Sequence, residues 1–162
     1  MRKRGLLAAG LVAVTGLASV TVFVGISVLM APGSARAAVQ HICSAGDKGF
    51  IGSAQINMGA LELWGQEYQQ GDVDGAAVIE QATSAAARLR DTAPQDPTLL
   101  TTRAVLVSMF TEYAKAVHDK ESGRDSGPAI ARAYTLANTA HELLEQARPA
   151  LKSRGCDPAP LL

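Results

Sequence analysis

The sequence predicts an all-α fold, an up-down-up-down four-helix bundle closed by one disulfide and preceded by an export leader. Three observations carry this. After residue 38 the chain is rich in alanine, its apolar residues recur at three-four spacing, and no run alternates apolar and polar as a strand would. Breaking residues cluster at Gly71-Asp72, at Thr92 to Pro97 and at Glu121 to Pro128, which divides the body into four segments of helical length. The two cysteines, Cys43 and Cys156, bracket those four segments.

The leader comes first. Met1-Arg2-Lys3-Arg4 precedes Gly5 to Ala31, a stretch without a charged side chain, and then Pro32-Gly33-Ser34-Ala35-Arg36-Ala37-Ala38. A basic start, an apolar run and small residues at −3 and −1 form an export signal; cleavage after Ala37 puts Ala35 and Ala37 in those positions and makes Ala38 the new N-terminus. The apolar run also exceeds the roughly 20 residues of a spanning helix, so residues 5–31 equally describe an uncleaved signal anchor with the C-terminal domain outside. Arg2 and Arg4 are separated by Lys3, which is not a twin-arginine signal, and Gln40-His41-Ile42 before Cys43 does not make a lipid-modified cysteine.

Setting the leader apart changes the charge. The chain has 15 basic and 15 acidic residues, and four of the basic ones but no acid precede Val39, which leaves 11 against 15 and a net charge of −4. An acidic body of about 124 residues is one domain, 38–162, and is a poor match for nucleic acid or for an anionic membrane surface. Membrane contact is expected only through residues 5–31, if the leader is retained.

The first helix has apolar positions Ile51, Ala54, Met58, Leu61, Gly65 and Tyr68 and stops at Gly71, which suits a left-handed cap. The second is expected from an Asp72 N-cap to about Thr92, burying Ala76, Ile79, Thr83, Ala86 and Leu89. Asp96 and Pro97 are N-cap and first residue of the third, which buries Leu99, Leu106, Met109, Phe110, Tyr113 and Val117 and runs to about Asp119. The polar stretch Glu121 to Gly127 is expected to be the most flexible loop. Pro128 opens the fourth helix, with the stripe Ile130, Ala133, Ala137, Ala140, Leu144, Ala147 and Leu151; Pro149 predicts a kink or an early end near Arg148.

Four helices with short connections favour antiparallel neighbours, and an even number of them returns the chain end to the level of its start. That is what a Cys43–Cys156 bridge requires in an oxidising exterior. An alternative architecture, two TPR-like helical hairpins, has some support: Leu61 to Pro97 resembles a tetratricopeptide unit in outline through Leu63, Gly71, Ala76 and the closing Pro97. The interval between the two halves is nearer 60 than the usual 34 residues, and such repeats need about three copies to bury a core.

The chemistry-bearing residues do not assemble into a familiar site. His41, His118 and His141 lack the Glu-x-x-His spacing of di-metal bundles, since Lys115 and Asn138 stand three residues before His118 and His141. His118 with Glu121, and His141 with Glu145, read as helix-surface pairs. Cys-x-x-Cys-His and Gly-x-Ser-x-Gly are absent. Met58 lies 15 residues after Cys43 and His141 15 residues before Cys156, so the two share a height in the bundle, and a Met–His pair is a haem-ligand chemistry. Met58 is nonetheless accounted for as core, and no cofactor or metal is expected. Glu62, Gln66 and Gln69 form a solvated face of the first helix. Trp64 and Tyr68, an i,i+4 aromatic pair, are the expected interaction patch. The function expected is that of an exported, non-catalytic bundle acting by surface interaction with a protein or cell-envelope component. The alternatives are a carrier or sensor of a small ligand such as haem, and an exported enzyme with an unrecognised site.

Overall fold

The computed structural model describes residues 42–162. The leader and its cleavage residues Ala35, Ala37 and Ala38 lie outside the described residues. Four helices follow one another: α1 (Ala45–Gln70), α2 (Gly75–Arg90), α3 (Pro97–Glu121) and α4 (Gly127–Ser153), with a short 3-10 turn at Ala159–Leu161. Among the described residues there is no strand and no helix long and apolar enough to cross a membrane. The all-α bundle is as predicted.

Local chemistry explains each start and stop. Ser44 and Asp47 form a reciprocal capping box at the head of α1, a signal not used in the sequence reading. Gly71 caps α1 at φ 83°, and the amide of Asp72 donates back to the Glu67 carbonyl at 2.9 Å. Asp72 is thereby spent on closing α1, so α2 restarts two residues later than predicted, on Asp74, whose carboxylate accepts from the Ala77 amide at 2.8 Å. Asp96 caps α3 with Pro97 in its first turn, as predicted.

Within the bundle α3 is central. It packs along both α2 and α4, while α1 packs mainly on α2 and touches α3 less. Phe50, Leu89, Leu99, Phe110, Leu144 and Leu151 are fully buried, and burying side chains of this size contributes about 1.5–3 kcal/mol each. Alanines fill the spaces between them, among them Ala54, Ala82, Ala85 and Ala140. The stripe of α2 is rotated from the predicted one: Ala76 and Thr83 are exposed, and Val78, Ala82 and Ala85 are inside with Ala86 and Leu89. Alanine occurs on every side of this helix, so its composition does not fix its rotation; packing between α1 and α3 does. A polar tie joins α1 to α2, where the guanidinium of Arg88 donates to the buried Asn57 Oδ1 at 2.7 and 2.9 Å.

The Cys43–Cys156 disulfide is formed, with the Cα atoms 5.1 Å apart, as predicted. Disulfides persist in oxidising compartments, and the bridge fits such an environment.

Two local regions carry detail beyond the sequence reading, and α4 does not end early near Arg148. The loop after α3 is tied down: Arg124 donates to the carboxylate of buried Asp119 at 2.9 Å and its amide donates to the Asp119 carbonyl at 2.8 Å. Helix α4 also runs through Pro149 to Ser153. Glu145, whose carbonyl loses its amide partner there, is exposed to water, and the helix end is held by hydrogen bonds from Cys156 N–H to Leu151 and from Cys43 N–H to Arg154. Pro149→Ala is therefore expected to stabilise the protein by about 1–3 kcal/mol, because it restores an i→i−4 bond in a helix that already continues through this position. Urea unfolding checks this, and a loss of stability would show that the proline is structurally required.

Candidate functional site

The arrangement that positions a site is the separation of α1 from α4. The disulfide joins the residues just outside their ends, but no part of α1 comes into backbone contact with α4. Between them lies a groove of about 650 Å³ whose floor is α3. Met109 and Tyr113 rise from that floor, Met58 and Leu61 line the α1 wall, and Ile130 and Ala137 line the α4 wall. Gly65 admits Tyr113 to the floor: a Cβ at this glycine would stand 2.8 Å from the Tyr113 hydroxyl. Gln55, Glu62, Gln66 and Gln69 form a polar rim on α1, and Glu62 is the one charged residue among the described residues lining this section.

The cleft continues toward the disulfide end as a second space of about 430 Å³, which shares Met58, Ala137 and Pro160 with the first. The chain's own C-terminus lies there. Leu161 and Leu162 pack against the core, and the 3-10 turn touches both α1 and α4. The tail thus occupies one part of an apolar cleft and leaves the other open.

Met58 and His141 do line one space, the 430 Å³ section, as their shared height implied. Leu161 and Leu162 line it with them, and His141 is exposed. Trp64 and Tyr68 are both half-buried on α1. Tyr68 is engaged within the molecule: its hydroxyl donates to Glu121 Oε1 at 2.5 Å, and the Lys120 ammonium lies 4.4 Å from its ring centroid. Burial, and then the Glu121 carboxylate, push this phenol up to about 12. Burial, with the neighbouring Tyr134, likewise raises the Tyr113 phenol on the groove floor. Both stay protonated donors at neutral pH. The aromatic that stands exposed on the groove lining is Tyr134 of α4, which the sequence reading passed over. Its position just beside Ala133, at the edge of the α4 stripe, was the available signal.

Among the described residues one cluster of three residues of metal-ligating type occurs, Cys43, Asp47 and Cys156. Its atoms are committed elsewhere. The sulfurs are bonded to each other, and the Asp47 carboxylate accepts from the Ser44 amide and hydroxyl and from the amides of Gln95 and Asp96 at 2.7–3.0 Å. Asp96 in turn pairs with Arg154 at 2.7 Å. The cluster is a knot joining the head of α1, the α2–α3 loop and the tail of α4.

Fold and site together define a disulfide-closed, all-α four-helix domain with an open apolar groove between its first and last helices. No family model, curated protein or solved structure matches the chain.

Proposed function

We propose that this protein is an exported, non-catalytic helical bundle that works at or outside the cell envelope by receiving an apolar segment of a partner protein in the groove between α1 and α4. The observation that carries the reading is the 650 Å³ groove itself, with apolar side chains left uncovered by the bundle and a polar rim on one side. A helix laid into such a groove presents apolar anchors at i, i+3/i+4 and i+7, which is a common mode of recognition. The rim residue Glu62 and the acidic body favour a partner helix whose outer face is basic. Trp64 and Tyr68 serve this reading less well than Tyr134, because Tyr68 is already held by Glu121 and Lys120. The leader and the disulfide support an exported location, and intact-mass measurement of the exported protein is expected to begin at Ala38.

The test is a titration of a fluorescent cationic amphipathic helix against the wild-type protein and Ala137→Trp. Ala137 lines the groove from α4 and is half-buried, so an indole there fills it. Binding is expected to weaken by about tenfold or more, the loss of roughly 1.4 kcal/mol. Removing residues 160–162 is expected to do the opposite, because the tail's leucines compete for the same cleft. Unchanged binding in both variants, with loss in Trp64→Ala, would move the contact to the aromatic patch of α1. The two adjoining sections also have the size of a small-molecule pocket. Native mass spectrometry of protein from its own producer decides that second reading: a bound small molecule would make this a carrier.

A further inference from the structure

A second surface is left uncovered on α1, beside the groove, with which it shares Gly59 and Gln66. On the outer face of α1, Gly49, Gly52, Ile56, Gly59, Leu63 and Gln66 recur at alternating spacings of three and four, the period of a helix–helix seam. None is buried; Ile56 is 73% exposed and Leu63 54%. The glycines are informative because α1 has others with a clear purpose. A Cβ at Gly46 would stand 2.1 Å from the Ala93 carbonyl oxygen, and one at Gly65 would meet Tyr113. At Gly49, Gly52 and Gly59 a Cβ would meet nothing within 4 Å. Nothing inside the described domain requires glycine there, although each weakens the helix relative to alanine.

Charge identifies the occupant. The exposed basic residue of α1, Lys48, lies at its start, and Glu62 and Glu67 lie in its second half. Among the described residues neither Lys48 nor Glu62 has an ionic partner. An identical helix running antiparallel presents the complementary order, whereas a parallel one brings Lys48 to Lys48. We propose that this seam binds a second copy of the chain, α1 against α1 and antiparallel, as a two-fold dimer. In the register centred on Ala54, Ile56 sits over Gly52 of the second copy, Leu63 over Ala45, and Lys48 beside Glu62. Ile56 and Leu63 each face a small residue and Gly49 faces Gly59, which lets the two backbones approach closely. A parallel pairing would set Ile56 on Ile56 and Leu63 on Leu63, crowding two levels that the antiparallel register relieves.

The glycines make a sharp test, because bulk there should harm the dimer and not the fold. The full chain, expressed for export and recovered in the form the cell leaves, is expected to sediment as a dimer at micromolar concentration. Gly52→Gln with Gly59→Gln is expected to weaken the dimer by about a hundredfold or more while the monomer melts no earlier, since both side chains enter open space and glutamine is the better helix former. Lys48→Glu is expected to weaken it by about tenfold, and adding Glu62→Lys in the same chain to restore it. Helical circular dichroism of the monomeric fraction verifies folding, and the charge pair provides an answer that does not depend on the glycines. A wild-type protein monomeric at about 100 μM overturns the proposal. So does a dimer indifferent to both the glycine and the charge variants.

Discussion

Cys43→Ala with Cys156→Ala is expected to lower the stability of the protein by about 4–5 kcal/mol, the largest effect of any change outside the hydrophobic core. The bridge spans 113 residues, nearly the whole described domain, so its loss releases the loop-closure entropy of almost the entire unfolded chain. A domain of this size has only about 5–15 kcal/mol in total. The folded state loses a specific constraint as well. Because α1 and α4 do not pack on each other, the bridge is the covalent link between their ends, and the groove and tail are built across it. Urea unfolding of the double variant, and of the native protein with reductant, is expected to give the same shift. A shift under 1 kcal/mol would show that the hydrogen bonds around Asp47 hold this end unaided.

Asp47→Ala is expected to cost about 3–5 kcal/mol, since one carboxylate satisfies three backbone amides and a hydroxyl at a site that is nearly closed to water. Asp47→Asn is expected to cost less, because an amide oxygen still accepts from the loop. The same carboxylate gives the protein an acid limit. Burial pushes the Asp47 carboxyl up, but the hydrogen bonds from Asp96, Ser44 and Gln95 outweigh it and hold the group below the usual range. Asp119 is also held low, first by the hydrogen bond from Lys115 and then by Arg124 against the opposing effect of burial. A group whose folded value is depressed contributes stability that is present above its unfolded value and lost as pH falls through the folded one. Stability should therefore hold down to about pH 4 and fall below it. In Asp47→Asn that fall should be shallower, and an identical acid limb in both proteins would assign the limit to other carboxylates.

Much of the architecture was legible in the chain because its signals are local. Gly71, Asp96 and Pro97 act through their own backbone geometry, the α3 stripe contains enough leucine, methionine and phenylalanine to point one way, and Ile130, Leu144 and Leu151 orient the alanine-rich stripe of α4. Helix α2 resisted for the converse reason: with alanine all round, neighbours and not composition set its rotation. Asp72 was misassigned because it closes one helix where it seemed to open the next. Pro149 does not end α4 near Arg148 because the disulfide and the bonds of Arg154 and Cys156 hold a helix end that would fray in isolation. Asn57 and Arg88, 31 residues apart, form a tie with no sequence signature at all.

The site was less legible than the fold. Trp64 and Tyr68 stood out as the aromatic pair of α1, yet exposure is a property of what packs nearby, and Tyr68 is claimed by Glu121 and Lys120 from the end of α3. The groove is built from residues individually indistinguishable from core: Met58, Met109, Ile130 and Ala137 satisfy a helical stripe whether or not another helix covers them. By itself the sequence determined the helix count, the caps at Gly71 and Asp96 and the pairing of Cys43 with Cys156, since capping chemistry acts over one turn and two cysteines allow one intramolecular pairing. Only the tertiary structure decided that α1 and α4 stand apart, that the tail enters between them, and that three glycines face outward, because stripe periodicity says which face is apolar and nothing about what is left to cover it.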